Sequence, residues 1–282
     1  MAALMVAASL VSATTFQNIL LDVRGAALGG VHTGIAPDPG SALANPALLG
    51  SIESAGGHFL VRDWYGSGAT SYAAGWVQPV KGLGLGLSWH RFGQDGVYTE
   101  DQIGLALGGQ VRILKRPVKF GANFKRLQVA FPGYDGLDYA GDTGTFSFDL
   151  AGSVKLGKQL ELNWLEENLV TGEVQYLSDG ETWRAGLRSS RQSLRYLWRS
   201  DLALILEHWG RAGRDPAILF GAELRFFDAF HVRAGSGSNS ATAGFGLSAA
   251  DWRADFAFES KGSLGTSLTF SISPLFGGRS GS

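Results

Sequence analysis

The sequence contains no cysteine, which excludes disulfides, thiolate chemistry, Cys-ligated zinc and a lipid-anchored lipobox cysteine. Its five histidines, His32, His58, His90, His208 and His231, stand apart, with neither H-x-x-x-H nor H-x-H spacing, so nothing in the pattern asks for a metal. Charge is scarce. Asp, Glu, Lys and Arg make up 17% of the chain, below the usual quarter, and 24 basic against 25 acidic residues leave a formal charge of −1. No basic field recommends nucleic acid as a partner. Beyond residue 13 no stretch approaches the roughly 20 uncharged apolar residues that a membrane helix needs, so a membrane crossing here is a matter of strands.

Glycine is abundant, at 41 of 282 residues, and aromatics reach 11% with 8 Trp. Apolar residues at 45% are too many for a disordered chain, and the glycines show no collagen period. Residues 1–13 form an uncharged apolar run ending Val11-Ser12-Ala13, a small-x-small pattern of the kind a signal peptidase cuts after. A basic n-region is missing. The run therefore reads either as the h-region of an export signal or as the apolar first turn of a helix.

From Ala55 onward the dominant period is two. Phe146, Phe148, Leu150, Gly152, Val154 and Leu156 alternate with Ser147, Asp149, Ala151, Ser153 and Lys155, one face apolar and the other polar or small. Similar runs predict strands near 55–66, 69–80, 82–92, 101–113, 117–131, 144–157, 159–166, 169–177, 181–191, 194–208, 217–227, 229–237, 240–249, 251–260 and 264–276. Turn clusters such as Ser178-Asp179-Gly180 and Gly213-Arg214-Asp215-Pro216 separate them. The pieces 159–166 and 169–177 are parted only by Glu167-Asn168. Joined as one bent strand they leave fourteen, an even number that suits a closed bacterial barrel.

A soluble β-sandwich would also alternate. The charges argue against it: Arg184, Arg188, Arg195, Arg199, Asp201, Glu207, Glu223, Arg225, Arg233, Arg253, Asp255 and Glu259 all fall on the non-apolar face. In a membrane barrel that face lines a lumen where such groups pair and hydrate, while the apolar face meets lipid. The expected fold class is all-β, a transmembrane antiparallel β-barrel of about 14 strands over 55–276. A short N-terminal plug over 14–54 precedes it, and a flexible tail over 277–282 follows. Trp64, Tyr65, Trp76, Trp89, Trp164, Trp183, Trp198, Trp209 and Trp252, near run ends, are of the type that forms interfacial girdles.

The densest motif is RGAALGGVHTGIAPDPGSALANPALLG, Arg24 to Gly50. It lacks two-residue alternation and makes sense as a plug: glycines permit close backbone packing and turns with φ > 0, Asp38 suits a cap, and Asn45 before Pro46 is biased to extended or turn geometry. The plug residues singled out are Arg24, Gly29, Gly30, Thr33, Gly34, Asp38, Asn45 and Pro46; purely structural packing accounts for each taken singly. Gly82-Leu83-Gly84-Leu85-Gly86 is no nucleotide loop, since Leu87 stands where a third glycine belongs and no helix follows.

With its glycine run, Thr33-Gly34-Ile35-Ala36, Asp38 and Asn45-Pro46-Ala47, this block resembles the N-terminal signature of PorV/PorQ-like outer-membrane proteins, relatives of the FadL long-chain fatty-acid transporters. The stretches VKFGANFKRLQ and FSFDLAGSVKL, the latter with Asp149, are similar to that family's mid-barrel pair. The chain is short for a FadL transporter and shows no long helical hatch. The resemblance implies an outer-membrane barrel without catalysis or cofactor, acting as a scaffold or shuttle in type IX-like protein secretion, its partners being secretion components or exported cargo in addition to membrane lipid. The loop 131–144, with Tyr134, Leu137 and Tyr139 among Asp135, Asp138 and Asp142, has the composition of a protein-contact patch. The alternative is a FadL-like passive transporter of hydrophobic small molecules. No catalytic set can be chosen from the scattered Ser, Asp and His residues.

Overall fold

The computed structural model describes residues 15–16, 22–132, 143–175, 182–237 and 239–277. Residues 1–13 and the loop residues Tyr134, Leu137 and Tyr139 lie outside the described residues. Among the described residues no helix is long and apolar enough to cross a membrane.

Fourteen antiparallel strands close into a barrel. They are β1 (Ala55–Asp63), β2 (Thr70–Val80), β3 (Leu83–Gln94), β4 (Tyr98–Ile113), β5 (Arg116–Ala130), β6 (Thr143–Lys155), β7 (Leu160–Thr171), β10 (Ser189–Leu197), β11 (Leu202–Arg211), β12 (Arg214–Phe226), β13 (Phe230–Gly237), β14 (Ser240–Ser248), β15 (Trp252–Ser260) and β16 (Thr266–Phe276). Two short strands, β8 (Glu173–Gln175) and β9 (Thr182–Arg184), pair with each other outside the barrel ladder. The even count lets β1 meet β16 antiparallel, from Ala55 opposite Phe276 to Asp63 opposite Leu268, which removes both sheet edges.

The sequence pattern misplaces the strands between 181 and 208. A run was expected over 194–208, but the chain turns at Trp198-Arg199-Ser200-Asp201, and the run over 181–191 divides into β9 and the start of β10. That turn contains neither Gly nor Pro, and only Ser200 and Asp201, weaker turn formers, mark it.

The outer surface is an apolar band: Leu105, Ile218, Phe146, Leu87 and Phe59 are each more than half exposed. A water-soluble protein does not tolerate such a surface, and lipid solvates it. Connections at one end are short, the longest being 156–159 and 198–201; the other end carries 64–69, 131–142 and the β8–β9 hairpin. Trp76, Trp198, Trp252 and Phe276 gather at the short-turn end, with Trp76 and Phe276 5.3 Å apart between ring centroids. Trp64 and Trp209 depart from the expected girdle, because both line a cavity inside the mouth.

The lumen is filled. Residues 22–54 form helix α1 (Val23–Ala27), helix α2 (Pro39–Ala44) and a 3-10 helix (Pro46–Ser51) packed against the inner wall. Each of the four clusters of buried apolar side chains joins an N-terminal residue to the wall, as where Leu28, Val31 and Ile35 meet Ile205 and Leu219. Leu28, Leu43, Leu48 and Leu49 are almost fully buried, and each such burial contributes about 1.5–3 kcal/mol. Wall glycines make room. A Cβ on Gly121 would strike the Pro46 carbonyl and one on Gly84 the Leu49 carbonyl, while on the opposite wall Gly221 and Gly235 lie against Leu28.

Candidate functional site

Local chemistry shapes the plug first. Asp22 caps α1 by accepting from the Arg24 amide at 3.0 Å, and Asp38 caps α2 in a reciprocal box with Ser41. Asn45 Oδ1 accepts from the Ala47 amide at 3.2 Å and starts the 3-10 helix, with Pro46 at its first position, where a missing N–H costs nothing. Gly29 and Gly30 follow α1 with φ of 81° and 87°, a left-handed reversal that glycine adopts without strain.

Arg24 then ties the plug together and to the wall. Its Nη1 donates to Asp38 Oδ2 at 2.6 Å and to the Ala36 carbonyl at 2.7 Å, and its Nη2 donates to Glu223 at 3.1 Å. Glu223 also accepts from Arg233 Nε at 2.6 Å, Arg233 donates to Asp255 at 2.8 Å, and Arg253 donates to Asp255 at 2.7 Å. Burial opposes ionisation of Arg24, but Glu223, Asp38, Asp22 and Asp255 outweigh it and hold its pKa well above the ordinary value. Burial likewise works to raise Asp38, yet Arg24 and Arg253 keep its carboxyl well below the usual carboxylate range. Asp22, in contrast, is pushed up to about 7 by burial and the nearby charge of Asp38.

A second tie lies nearer the mouth. Glu207, fully buried on β11, accepts from the Thr33 amide and hydroxyl at 2.8 and 2.6 Å and from Arg191 at 2.7 Å. Arg191 in turn donates to Glu167 at 3.0 Å. Gly34, at φ 75°, fits beneath Ser193 and Ile205. His32 is half-buried beside Arg191; loss of hydration first and that cation second lower its pKa to about 3, so its imidazole is neutral at physiological pH.

Two cavities flank this second tie. The outer one, about 830 Å³, opens between the plug at Gly29, Gly30 and His32 and the rim residues Trp64, Tyr65, Arg214 and Lys261. An inner one of about 60 Å³ runs toward Lys125, Asp149, Glu167, Asn168 and Leu187. His32, Arg191, Trp209 and Arg211 line both.

At the far side of the inner cavity the wall is irregular. The β6–β7 register shifts between Phe148 and Leu150, which bulges β7 at Glu167, Asn168 and Leu169. On the other side the β7–β10 ladder ends at Glu167 opposite Ser189. Asn168, at φ 55°, bridges the space: its Nδ2 donates to the Leu187 carbonyl at 3.0 Å, and its Oδ1 accepts from Lys125 and Ser147, each at 2.8 Å. Its amide donates to Asp149 at 2.8 Å. Here a side chain closes the wall where the backbone ladder stops.

The structure thus joins Arg24 with Asp38, and Asn45 with Pro46, while Thr33 belongs to the separate Glu207 tie. Arginines that the sequence placed among charges of both signs stand near acids: Arg188 lies 3.7 Å from Glu166, Arg195 lies 3.5 Å from Glu161, and Arg199 pairs with Asp201 at 3.1 Å. Asn168 and Arg211 line the inner cavity without having been singled out by the pattern, and Trp209, also on it, was singled out only as a girdle-type indole. Only the break at Glu167-Asn168 hinted at the first of them.

The chain matches no protein-family model and no curated protein sequence. Solved structures do match along nearly its whole length. The CymD monoaromatic hydrocarbon channel superposes with a TM-score of 0.64 at 10% identity, covering 93% of this chain and 99% of that one. The toluene transporter TbuX of Ralstonia pickettii gives 0.58 at 12% identity, with 92% and 99% covered, and a Pseudomonas aeruginosa FadL homologue gives 0.58 at 12%, with 93% and 98% covered. At such identities the likeness establishes a shared barrel fold. It also corrects the expected scaffold of type IX-like secretion, since the matching structures are named as hydrocarbon channels and toluene transporters. The barrel agrees with that correction in its own geometry, since its cavities lead from the mouth toward the wall. The fold is that of FadL-like barrels, and the narrower likeness to PorV/PorQ proteins rests on sequence motifs alone, the N-terminal block and the mid-barrel stretches VKFGANFKRLQ and FSFDLAGSVKL.

Proposed function

We propose that the protein is a passive outer-membrane conduit for hydrophobic small molecules. The observation that carries this reading is the β7–β10 seam, where the inner cavity reaches a stretch of wall held by the Asn168 side chain in place of a continuous ladder. A solute that enters the mouth and leaves sideways would avoid the charged lumen floor and pass directly into hydrocarbon. The wide outer cavity supplies the entrance, and the plug, tied through Arg24 and Thr33, blocks straight passage. The outer-membrane location is supported by the closed, even-stranded barrel with short turns at one end and longer connections at the other. The named activities of the structurally similar barrels point the same way.

The test uses the natural absence of cysteine. Asn168→Cys and Leu187→Cys are introduced together and bridged with a short bis-methanethiosulfonate reagent in intact cells. Uptake of radiolabelled toluene should be faster with the wild-type barrel than without it, and bridging should abolish the gain. Uptake that is unchanged by the barrel would reject the conduit.

A further inference from the structure

Between the two cavities sits a cluster of cations that the lumen does not neutralise. The Arg191 and Arg211 guanidinium carbons lie 4.0 and 3.9 Å from the Trp209 ring centroid. Arg191 is paired with Glu167 and Glu207. Arg211 is not: it has no ion pair among the described residues, and its register partner across the β11–β12 ladder is Arg214. Like charges opposite one another destabilise a sheet, so this arrangement, although it lies at a register shift and Arg214 is exposed, favours a compensating anion. Lys261, also without an ion pair among the described residues, lines the same cavity, as does Asp215; the other acid there, Glu259, is taken by Arg62.

Two donors make the need specific. Arg211 Nε and Trp209 Nε1 are both buried and neither has an acceptor among the described residues. Elsewhere in the lumen buried cations are matched, as Lys125 is by Asp149 at 2.6 Å and Arg233 by Glu223 and Asp255. An unmatched guanidinium beside an unmatched indole N–H suits a planar acceptor with two oxygens.

We propose that Arg211, Arg214 and the indole N–H of Trp209 form a carboxylate site at the junction of the two cavities, taking the head group of an aromatic acid that approaches from the mouth. The aromatic body follows from the flat surfaces available, since guanidinium planes and the nearby rings of Trp64 and Tyr65 stack on an aromatic ring better than on an alkyl chain. This deepens the conduit reading and rests on it: the barrel would select charged aromatic acids at the mouth beyond what neutral hydrocarbons achieve.

The experiment is calorimetric titration of the detergent-solubilised full chain with benzoate, octanoate, toluene and inorganic phosphate. Benzoate should bind most tightly. Arg211→Gln should weaken benzoate by about 10-fold or more and leave toluene unchanged, in keeping with the loss of a charge-assisted hydrogen bond. Trp209→Phe, which keeps a ring and removes the N–H, should weaken benzoate less. Arg214→Gln sits at the exposed end of β12 and provides a second variant if Arg211→Gln misfolds, which heat-modifiable migration would report. Benzoate binding no tighter than toluene, or unaffected by both arginine substitutions, overturns the site. Octanoate or phosphate binding as tightly as benzoate overturns the aromatic acid as ligand. If toluene uptake depends on the barrel while benzoate ignores Arg211, the inference fails alone; if benzoate needs Arg211 but the barrel speeds no uptake, the conduit fails alone.

Discussion

Arg24 and Glu223, 199 residues apart in sequence, meet with the guanidinium Nη2 at 3.1 and 3.2 Å from the two carboxylate oxygens, and this contact joins the plug to the barrel wall. Both groups have left water, so the pair matters less for its own strength than for what its loss exposes. Arg24→Leu leaves Asp38 and Glu223 without their shared cation. Breaking one side of a buried pair costs about 3–5 kcal/mol. The plug should detach before the barrel opens, so the variant is expected to migrate as a folded barrel while showing raised conductance in planar bilayers. Replacing Arg24 and Glu223 together by Leu should cost less than the two single substitutions combined.

Asp22 gives the plug a pH dependence of known sign. Its folded pKa is raised to about 7 from an ordinary 3.8, so between these values the unfolded state ionises while the folded state keeps its proton. Stability from this group is complete below about pH 4 and is lost as pH rises toward 7. His32 acts oppositely, losing stability as pH falls below 6.5 toward about 3, so the comparison must isolate Asp22. Asp22→Asn retains a capping oxygen and removes the titration. Its stability relative to wild type should climb by an amount on the order of a few kcal/mol between pH 4 and 7 and then level off. A flat difference in thermal melts across that range would contradict the assignment.

The glycine seat can be tested without touching any charge. A Cβ on Gly121 meets backbone of Pro46 and Ala47, which cannot rotate away as a side chain would. Gly121→Val should therefore displace the 3-10 helix, raise conductance and make residues 46–51 accessible to protease. Gly82→Ala, in a turn where a Cβ meets nothing within 4 Å, should alter no conductance, although its φ of 85° adds local strain.

How much of this was legible in the sequence depends on what a linear pattern encodes. Alternation reports which face a residue occupies, so Glu207, Glu223, Arg233 and Asp255 were correctly placed on the lumen side. It does not report depth or cross-barrel partners, so neither the Arg24–Glu223 contact nor the Arg211–Arg214 pairing could be foreseen. Trp209 is one of several run-end indoles of the type that forms girdles, and the pattern does not say which of them face the lumen; its parity with Glu207 and Arg211 turns it inward. The turn at 198–201 stayed hidden because hydrogen bonds such as Trp198 N–H to the Leu202 carbonyl, at 3.0 Å, close it without glycine or proline. The bulge at Asn168 did leave a mark, as an interruption of alternation between two apolar pieces, but nothing local shows that the next ladder ends there.

The lipid face and the lumen face should respond differently to charge, though neither tolerates it freely. Leu105 is 61% exposed in the apolar band, and Leu105→Arg should cost about 2–4 kcal/mol near the midplane, whereas Leu105→Phe should be nearly neutral. Ser153 lies on the opposite face, almost fully buried and donating to Glu161 at 2.7 Å, with Lys119 also on that carboxylate. Arginine there would gain a counter-ion but must displace Lys119. Ser153→Arg should still insert while losing part of its stability in urea titrations, because the lumen is packed and not an open aqueous channel.

Asn168 offers the most direct separation of wall closure from fold. Its φ of 55° is one that a glycine adopts without strain, so Asn168→Gly keeps the bulge while deleting the side chain that holds the Leu187 carbonyl, Lys125 and Ser147. Asn168→Ala deletes the same contacts and also adds backbone strain. If the side chain closes the β7–β10 seam, both variants should speed toluene uptake and amide exchange at 187–189, and alanine should lose more stability than glycine, the hydrogen-bond part being about 1–3 kcal/mol in each. Uptake that rises only with alanine would trace the effect to distortion of the bulge. Uptake and exchange unchanged in both would show that the seam is sealed by other groups, and the exit would then have to be sought elsewhere on the wall.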